Sequence, residues 1–257
     1  KADREVIVLD RPNPIRGDIV EGAPCEKYAG EGLVTGFDYP LRHGMTVGEL
    51  AHMYNEEKGI GAKLTVLKMQ GWRRDMWYEE TGLVWMPPSP NMPTVDSALY
   101  FATTGLLQGA NISYGIKTTT PFQYIGHPDF SGEDIANALN ERDLPGVFFV
   151  PKYYQSSLPL DNGLPNEPML CDGVMTVIHD RNLWKPVETQ LHIIDVLNSL
   201  YPDLFNIARA GRPANIRMGT DKISVACARR ESMMPILAEW KQKAEEFKLR
   251  REKYLLY

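Results

Sequence analysis

The 257-residue chain is 43% hydrophobic and 24% charged, with a net charge of −5. That length sustains a real core, the composition is ordinary for a globular chain, and an acidic balance without a basic stripe excludes a nucleic-acid-binding surface. No apolar run reaches membrane-spanning length, and Cys25, Cys171 and Cys227 lie too far apart for metal-ligand spacing and read as small buried residues.

The first element is EVIVL (5–9), a short β-branched run that reads as a buried strand of an α/β sheet. DRPNP follows at its carboxyl end, where open α/β sheets bind ligands, so Arg11 and Asn13 are site candidates; a proline turn with Asp10 and Arg11 paired is an equal reading. Glu21 lies in a glycine-flanked loop. Thr46 and Glu49 form a T-x-x-E capping box ahead of a stripe of Val47, Leu50, Ala51 and Tyr54, which assigns Glu49 to capping rather than catalysis. His43, just before that helix, reads equally as a ligand-facing group or as a loop histidine satisfied by backbone.

KLTVLKM (63–69) is a second strand. Trp72, Arg73, Arg74, Trp77 and Tyr78 read either as a packed domain edge or as a platform where rings stack on a sugar and a guanidinium binds a carboxylate. Pro87, Pro88, Pro90 and Pro93 make a stiff loop, since each fixes φ and removes a donor. Thr94 caps the next helix, whose inner side carries Ala98, Leu99, Ala102 and Leu106. The polar loop 109–115 holds Asn111 and Ser113. Two such loops around a short helix can present amides and hydroxyls to a polyhydroxyl ligand, or serve as a plain connection.

GHPD (126–129) reads as a domain boundary. Beyond it the pattern predicts a helix from Gly132 to about Arg142 capped by Ser131, strands at 146–151 and 173–178, and a long surface loop from Ser156 to Pro168. A helix from Val187 to Leu200 carries His192 and Asp195 as surface residues, and a closing helix from Ser232 to Tyr254 is expected to pack on the second domain. The five histidines are dispersed, so neither a metal site nor a cofactor is expected.

PPSPNMP (87–93), LLQGANIS (106–113) and TTTPF (118–122) together resemble the signature of the NamZ-type exo-β-N-acetylmuramidases, a family of peptidoglycan glycoside hydrolases. LDRPNP (9–14), VEG (20–22), LRHGMTVGELA (41–51) and KYLLY (253–257) agree in the same order, so the resemblance spans the chain. It implies an α/β architecture: a Rossmann-like parallel-sheet domain over residues 1–125, without a further N-terminal segment that precedes LDRPNP in the family, then a smaller α/β domain over 126–257. It implies release of terminal N-acetylmuramic acid from the non-reducing ends of peptidoglycan, with peptidoglycan fragments or muramic-acid saccharides as partners and export to the periplasm or cell exterior.

On that resemblance Glu21 and His43 are the catalytic candidates. Arg11, Asn13, Ser89, Asn91, Gln108, Asn111 and Ser113 are the substrate-binding candidates, and Arg11, Asn13, Glu21, His43, Asn91 and Asn111 are expected to converge on one cleft. The chain departs from the family inside the signature: Gln108 and Tyr114 stand where the family has Glu, Ala110 where it has Thr, and Ile116 and Lys117 where it has Arg-Gly. An amide at 108 cannot exchange a proton, so a sugar-binding homologue with impaired catalysis is the alternative reading.

Overall fold

Strands β1 (Glu5–Leu9) and β2 (Lys63–Leu67) pair in parallel, with Val8 opposite Val66, and helix α1 (Val47–Glu57) lies on the crossover between them. This is the arrangement in the computed structural model, which describes residues 4–26, 38–156, 168–207, 215 and 217–257. The expected surface loop after Ser156 falls on 157–167, outside the described residues. Helix α1 sits close to the sheet. A side chain added at Gly48 would meet Val66 Cγ1 at 2.5 Å.

The expectation that EVIVL is buried is corrected. Val6 is 44%, Ile7 57% and Leu9 66% exposed, and Leu67 on β2 is 53% exposed. Side chains alternate across a strand; among the described residues α1 covers the face carrying Val66, while Ile7, Leu9 and Leu67 project from the other. A continuous apolar run marks burial on both faces only where both faces are covered.

The second sheet is antiparallel, ordered β3 (Tyr124–His127), β5 (Leu170–Ile178), β4 (Val147–Gln155). Pro151 lies on β4, an edge strand, where its missing donor disturbs no second ladder. Helices α2 (Val95–Thr104), α3 (Gly132–Asn140) and α4 (Pro186–Leu200) pack here: α3 lies against β4 and β5, and α2 against α4. Helices α5 (Lys222–Ala228) and α6 (Met234–Arg251) complete the chain's described helices, with a final 3-10 turn, Glu252–Tyr254. The fold is therefore α/β, a parallel sheet followed by an antiparallel one. Leu99, Leu107, Ile112 and Phe122, from the stretch with the proline loop, share one buried cluster with Ile125, Ile135 and Leu191.

Helix α6 departs from expectation. Ile236, Leu237 and Trp240 join that large cluster, but Phe247 and the following Tyr254 belong to a second one with Met45 and Met53 of the first half. The closing helix thus binds the two halves together instead of packing on one. Its last residue, Arg251, is 3% exposed and donates to the carbonyls of Gly17, Asp18, His43 and Gly44. His192 and Asp195 are likewise more than surface residues. Arg142 bonds both, at 2.9 and 2.7 Å, and Asp195 accepts from Met233 N at 2.7 Å, at the start of α6.

Candidate functional site

The N-terminus of α1 organises the loops above β1. Thr46 and Glu49 make the expected capping box. Asp10 adds a second cap from the end of β1, with Oδ1 accepting from Gly48 N at 2.8 Å and Oδ2 from Thr46 Oγ1 at 2.7 Å. A carboxylate there satisfies orphan amides and complements the helix dipole. Glu49 is fully buried; Arg74 grips it with two N–H groups at 2.7 and 2.9 Å, and Leu256 N donates at 2.8 Å. Tyr257 Oη donates to Asp10 at 2.7 Å and its ring meets Trp72 edge-on at 5.1 Å. The KYLLY segment is therefore the buttress of this helix start.

Beside it opens a cleft of about 600 Å³. Residues 11–15 form one wall, 41–47 the second, and Met92, Ala98 and Phe101 the third. Three separate stretches of the chain meet there, at the carboxyl end of β1. Arg11, Asn13 and His43 all line it. Asn13 is buried; its Nδ2 donates to Met45 O at 3.0 Å and its Oδ1 accepts from Ile15 N at 3.1 Å, so it fastens two walls together.

His43 Nδ1 accepts from Met45 N at 3.0 Å, which leaves the proton of the neutral ring on Nε2. Burial, reinforced by the nearby Arg251 charge, pushes its pKa down to about 4. At neutral pH His43 is thus an N–H donor and not an imidazolium acid.

Glu21 stands one layer back. Its Oε1 accepts from Arg42 Nη1 at 2.6 Å and its Oε2 from Val187 N at 3.1 Å. Burial raises its pKa, against the opposing pull of Arg42 and of the Val187 amide. Arg42 lines the cleft, whereas Glu21 lines a second cavity of about 480 Å³ bounded by Leu183, Val187, Leu237 and Trp240. The ion pair therefore links the two spaces. Among the described residues no Asp or Glu lines the cleft itself.

The remaining candidates lie elsewhere. Ser89 Oγ accepts from Asn91 N at 3.3 Å, and Asn91 Oδ1 accepts from Lys117 N at 3.2 Å. Asn91 thus fastens the proline loop to Lys117, just past the polar loop, and neighbouring Met92, not Ser89 or Asn91, lines the cleft. Asn111 is 3% exposed; its Nδ2 donates to Leu204 O and its Oδ1 accepts from Asn206 N, both at 2.7 Å. Ser113 is 2% exposed and pairs through its backbone with Gly126. Of the residues expected to converge on one cleft, Asn91 and Asn111 do not line it; Asn111, like the substrate-binding candidate Ser113, is turned inward by packing against 204–206 and β3. Gln108 does not line the cleft, and its carbonyl accepts from Arg217 at 3.1 Å. Tyr114 is buried against Phe122.

The Trp72–Tyr78 group is a packed edge. Trp72 and Trp77 are buried, Arg16 and Arg181 lie over the Trp77 ring, and Trp77 Nε1 donates to Asn182 Oδ1 at 2.9 Å. Arg42, Met92 and Phe101 are cleft residues missed from the sequence, although Arg42 adjoins His43 within the LRHG segment. No three His, Cys, Asp or Glu side chains among the described residues could hold a metal. Among the same residues no helix is long and apolar enough to cross a membrane.

Two family models match the chain: "Exo-beta-N-acetylmuramidase NamZ, N-terminal" over residues 1–96 and "Exo-beta-N-acetylmuramidase NamZ, C-terminal" over 99–257. A curated relative, "Peptidoglycan beta-N-acetylmuramidase NamZ" of Bacillus subtilis (strain 168), is 38% identical over 252 residues, which is 98% of this chain and 59% of the relative. Two crystal structures of DUF1343 family proteins from Bacteroides fragilis NCTC 9343 are similar. One has a TM-score of 0.87 at 32% identity, covering 99% of this chain and 66% of the other; the second has 0.70 at 28%, covering 99% and 67%. The chain thus spans about three fifths to two thirds of these relatives' length.

Proposed function

Because the chain belongs to the exo-β-N-acetylmuramidase NamZ family, we propose that it forms part of a peptidoglycan glycosidase that releases N-acetylmuramic acid from non-reducing chain ends. The observation carrying this reading is the cleft: LDRPNP, LRHGMTV and the PNMP loop, three segments of the family resemblance, form its walls. A substrate in the cell wall places such a protein outside the cytoplasmic membrane.

The chemistry divides between two residues. Glycoside hydrolysis needs a carboxylic acid that stays protonated long enough to donate to the leaving oxygen. Glu21 is the acid we assign to that step: burial raises its pKa, but both its oxygens accept hydrogen bonds here, from Arg42 Nη1 and Val187 N, and it lies behind the cleft wall, so the step requires substrate binding to displace Arg42 and bring the glycosidic oxygen to it. His43, neutral with its proton on Nε2, acts as a hydrogen-bond donor to the sugar or its acetamide. An N-acetyl sugar can supply its own nucleophile, in which case a single acid suffices.

A second reading, a chain that binds the saccharide without turning it over, is favoured by one observation, the lack of a carboxylate on the cleft lining among the described residues. One experiment separates the two. Glu21→Gln keeps an acceptor for Val187 N and removes the ionisable carboxyl group. Under the glycosidase reading, turnover of a terminal N-acetylmuramide falls by about 10²- to 10⁴-fold while the far-ultraviolet circular dichroism is unchanged. Unaltered turnover refutes the role of Glu21. Saccharide binding by the wild type with no turnover selects the second reading.

A further inference from the structure

We infer that Arg11 is the carboxylate-recognition residue of the cleft, selecting the lactyl carboxylate that distinguishes N-acetylmuramic acid from N-acetylglucosamine. The inference rests on the muramidase reading and adds the group that sets its sugar preference.

The argument starts from the charges around the cleft. Arg11 and Arg42 line it, and no acid does among the described residues. Arg42 is already occupied: Nη1 holds Glu21 at 2.6 Å, and Nε and Nη2 donate to Ile15 O at 3.3 and 2.7 Å. His43 is neutral. Arg11 differs from both. Its backbone N–H donates to Asp10 Oδ1 at 3.0 Å, but its guanidinium has no acceptor and no carboxylate partner among the described residues. Asp10 is the adjacent acid, and its two oxygens already accept from the amides of Arg11 and Gly48 and the hydroxyls of Thr46 and Tyr257. The sequence reading that paired Asp10 with Arg11 therefore holds only for the backbone of Arg11.

One uncompensated cation thus faces a space whose other walls are largely apolar, including Leu41, Met45, Met92 and Phe101. Arg11 is exposed to solvent, so the match is one of geometry: a guanidinium meets a carboxylate with two parallel N–H···O bonds. Pro12 and Pro14 stiffen the loop that carries it, which reduces the entropy lost on binding. A monoanion with small methyl groups fits this cleft, and a lactyl N-acetyl sugar has that chemistry.

The competing candidates for that role are occupied elsewhere. Arg74 is bound to Glu49 and to the carbonyls of Gly17 and Gly44, and Arg73 pairs with Asp75 at 3.2 Å outside the cleft.

The test is calorimetric titration of the whole chain with N-acetylmuramic acid, its lactyl methyl ester and N-acetylglucosamine. The wild type should bind the acid about 10- to 100-fold more tightly than the other two, the range expected for hydrogen bonds to a charged group. Arg11→Gln should erase that gap and leave affinity for N-acetylglucosamine unchanged. Arg11→Lys, which keeps the charge but loses the fork, should retain part of it, and Arg73→Gln all of it. A gap that persists in Arg11→Gln, or an equal loss for all three ligands, overturns the assignment. Wild-type binding of both sugars with equal affinity overturns it too, while leaving the cleft as an amino-sugar site. Wild-type binding of neither overturns both the assignment and the muramidase reading of the cleft.

Discussion

His43 illustrates how a residue that sequence leaves ambiguous acquires a definite state from its surroundings. Sequence places it before a helix and gives no pKa. The structure gives it an amide donor, Met45 N, which fixes the tautomer, and burial, reinforced by the Arg251 charge, holds its pKa at about 4 against an ordinary 6.5. The folded state therefore keeps His43 neutral where the unfolded chain protonates it. Its stabilising contribution is complete above about pH 6.5 and is lost as pH falls toward 4, with His192, also lowered by burial, acting in the same direction. Between pH 7 and pH 5 the His43 part amounts to about 2 kcal/mol. Urea unfolding at those two values should show the wild type losing that stability and His43→Gln losing less; equal slopes would contradict the buried, neutral state. Glu21 was legible only through the family resemblance, because a loop glutamate shows nothing of a partner 21 residues away.

Elements were legible where their determinants are local. The α1 capping box needs only Thr46 and Glu49, three residues apart, and it formed as read. The Thr94 and Ser131 caps formed for the same reason, with Ser97 N and Asp134 N donating to them. What sequence could not show is the far side of each contact: Arg74 and Leu256 on Glu49, Tyr257 on Asp10, Arg251 on the Gly17 and Gly44 carbonyls. Strand β3 was missed because it is four residues long with Gly126 within it, a pattern that reads as a turn. Strand β1 was found, but its exposure depends on what lies on each face of the sheet. Gly44 shows how tightly the helix entry is built. Its φ is +57°, and a Cβ there would lie 2.3 Å from Arg251 Nη1 and 2.5 Å from Ile19 O. Gly44→Ala should therefore lower the unfolding free energy on the order of 3 kcal/mol, read by urea titration of tryptophan fluorescence. A loss within a few tenths would mean that Arg251 does not pack there.

For the whole molecule, the α/β class was legible in the sequence, while the antiparallel order of the second sheet and the connection between the two sheets were not. The stripe of α6 is one continuous amphipathic pattern, and nothing in it tells which residues face which half; only the fold places Trp240 in one cluster and Phe247 in the other. That tie fastens residues 43–44 to residues 17–18 through Arg251, while Asn13 and Arg42 hold residues 11–15 against 41–47. The central claim is that this cleft, and not the neighbouring cavity behind Glu21, receives the amino sugar. Methyl NMR tests it most directly, by titrating N-acetylmuramic acid into protein labelled at Met and at Leu and Val methyls. Met45, Met92 and Leu41 line the cleft, whereas Leu183, Val187 and Leu237 line the other cavity. Saturable shifts concentrated at Met45, Met92 and Leu41 are the predicted result; shifts concentrated at Leu183, Val187 and Leu237, with the cleft methyls unmoved, would contradict the account.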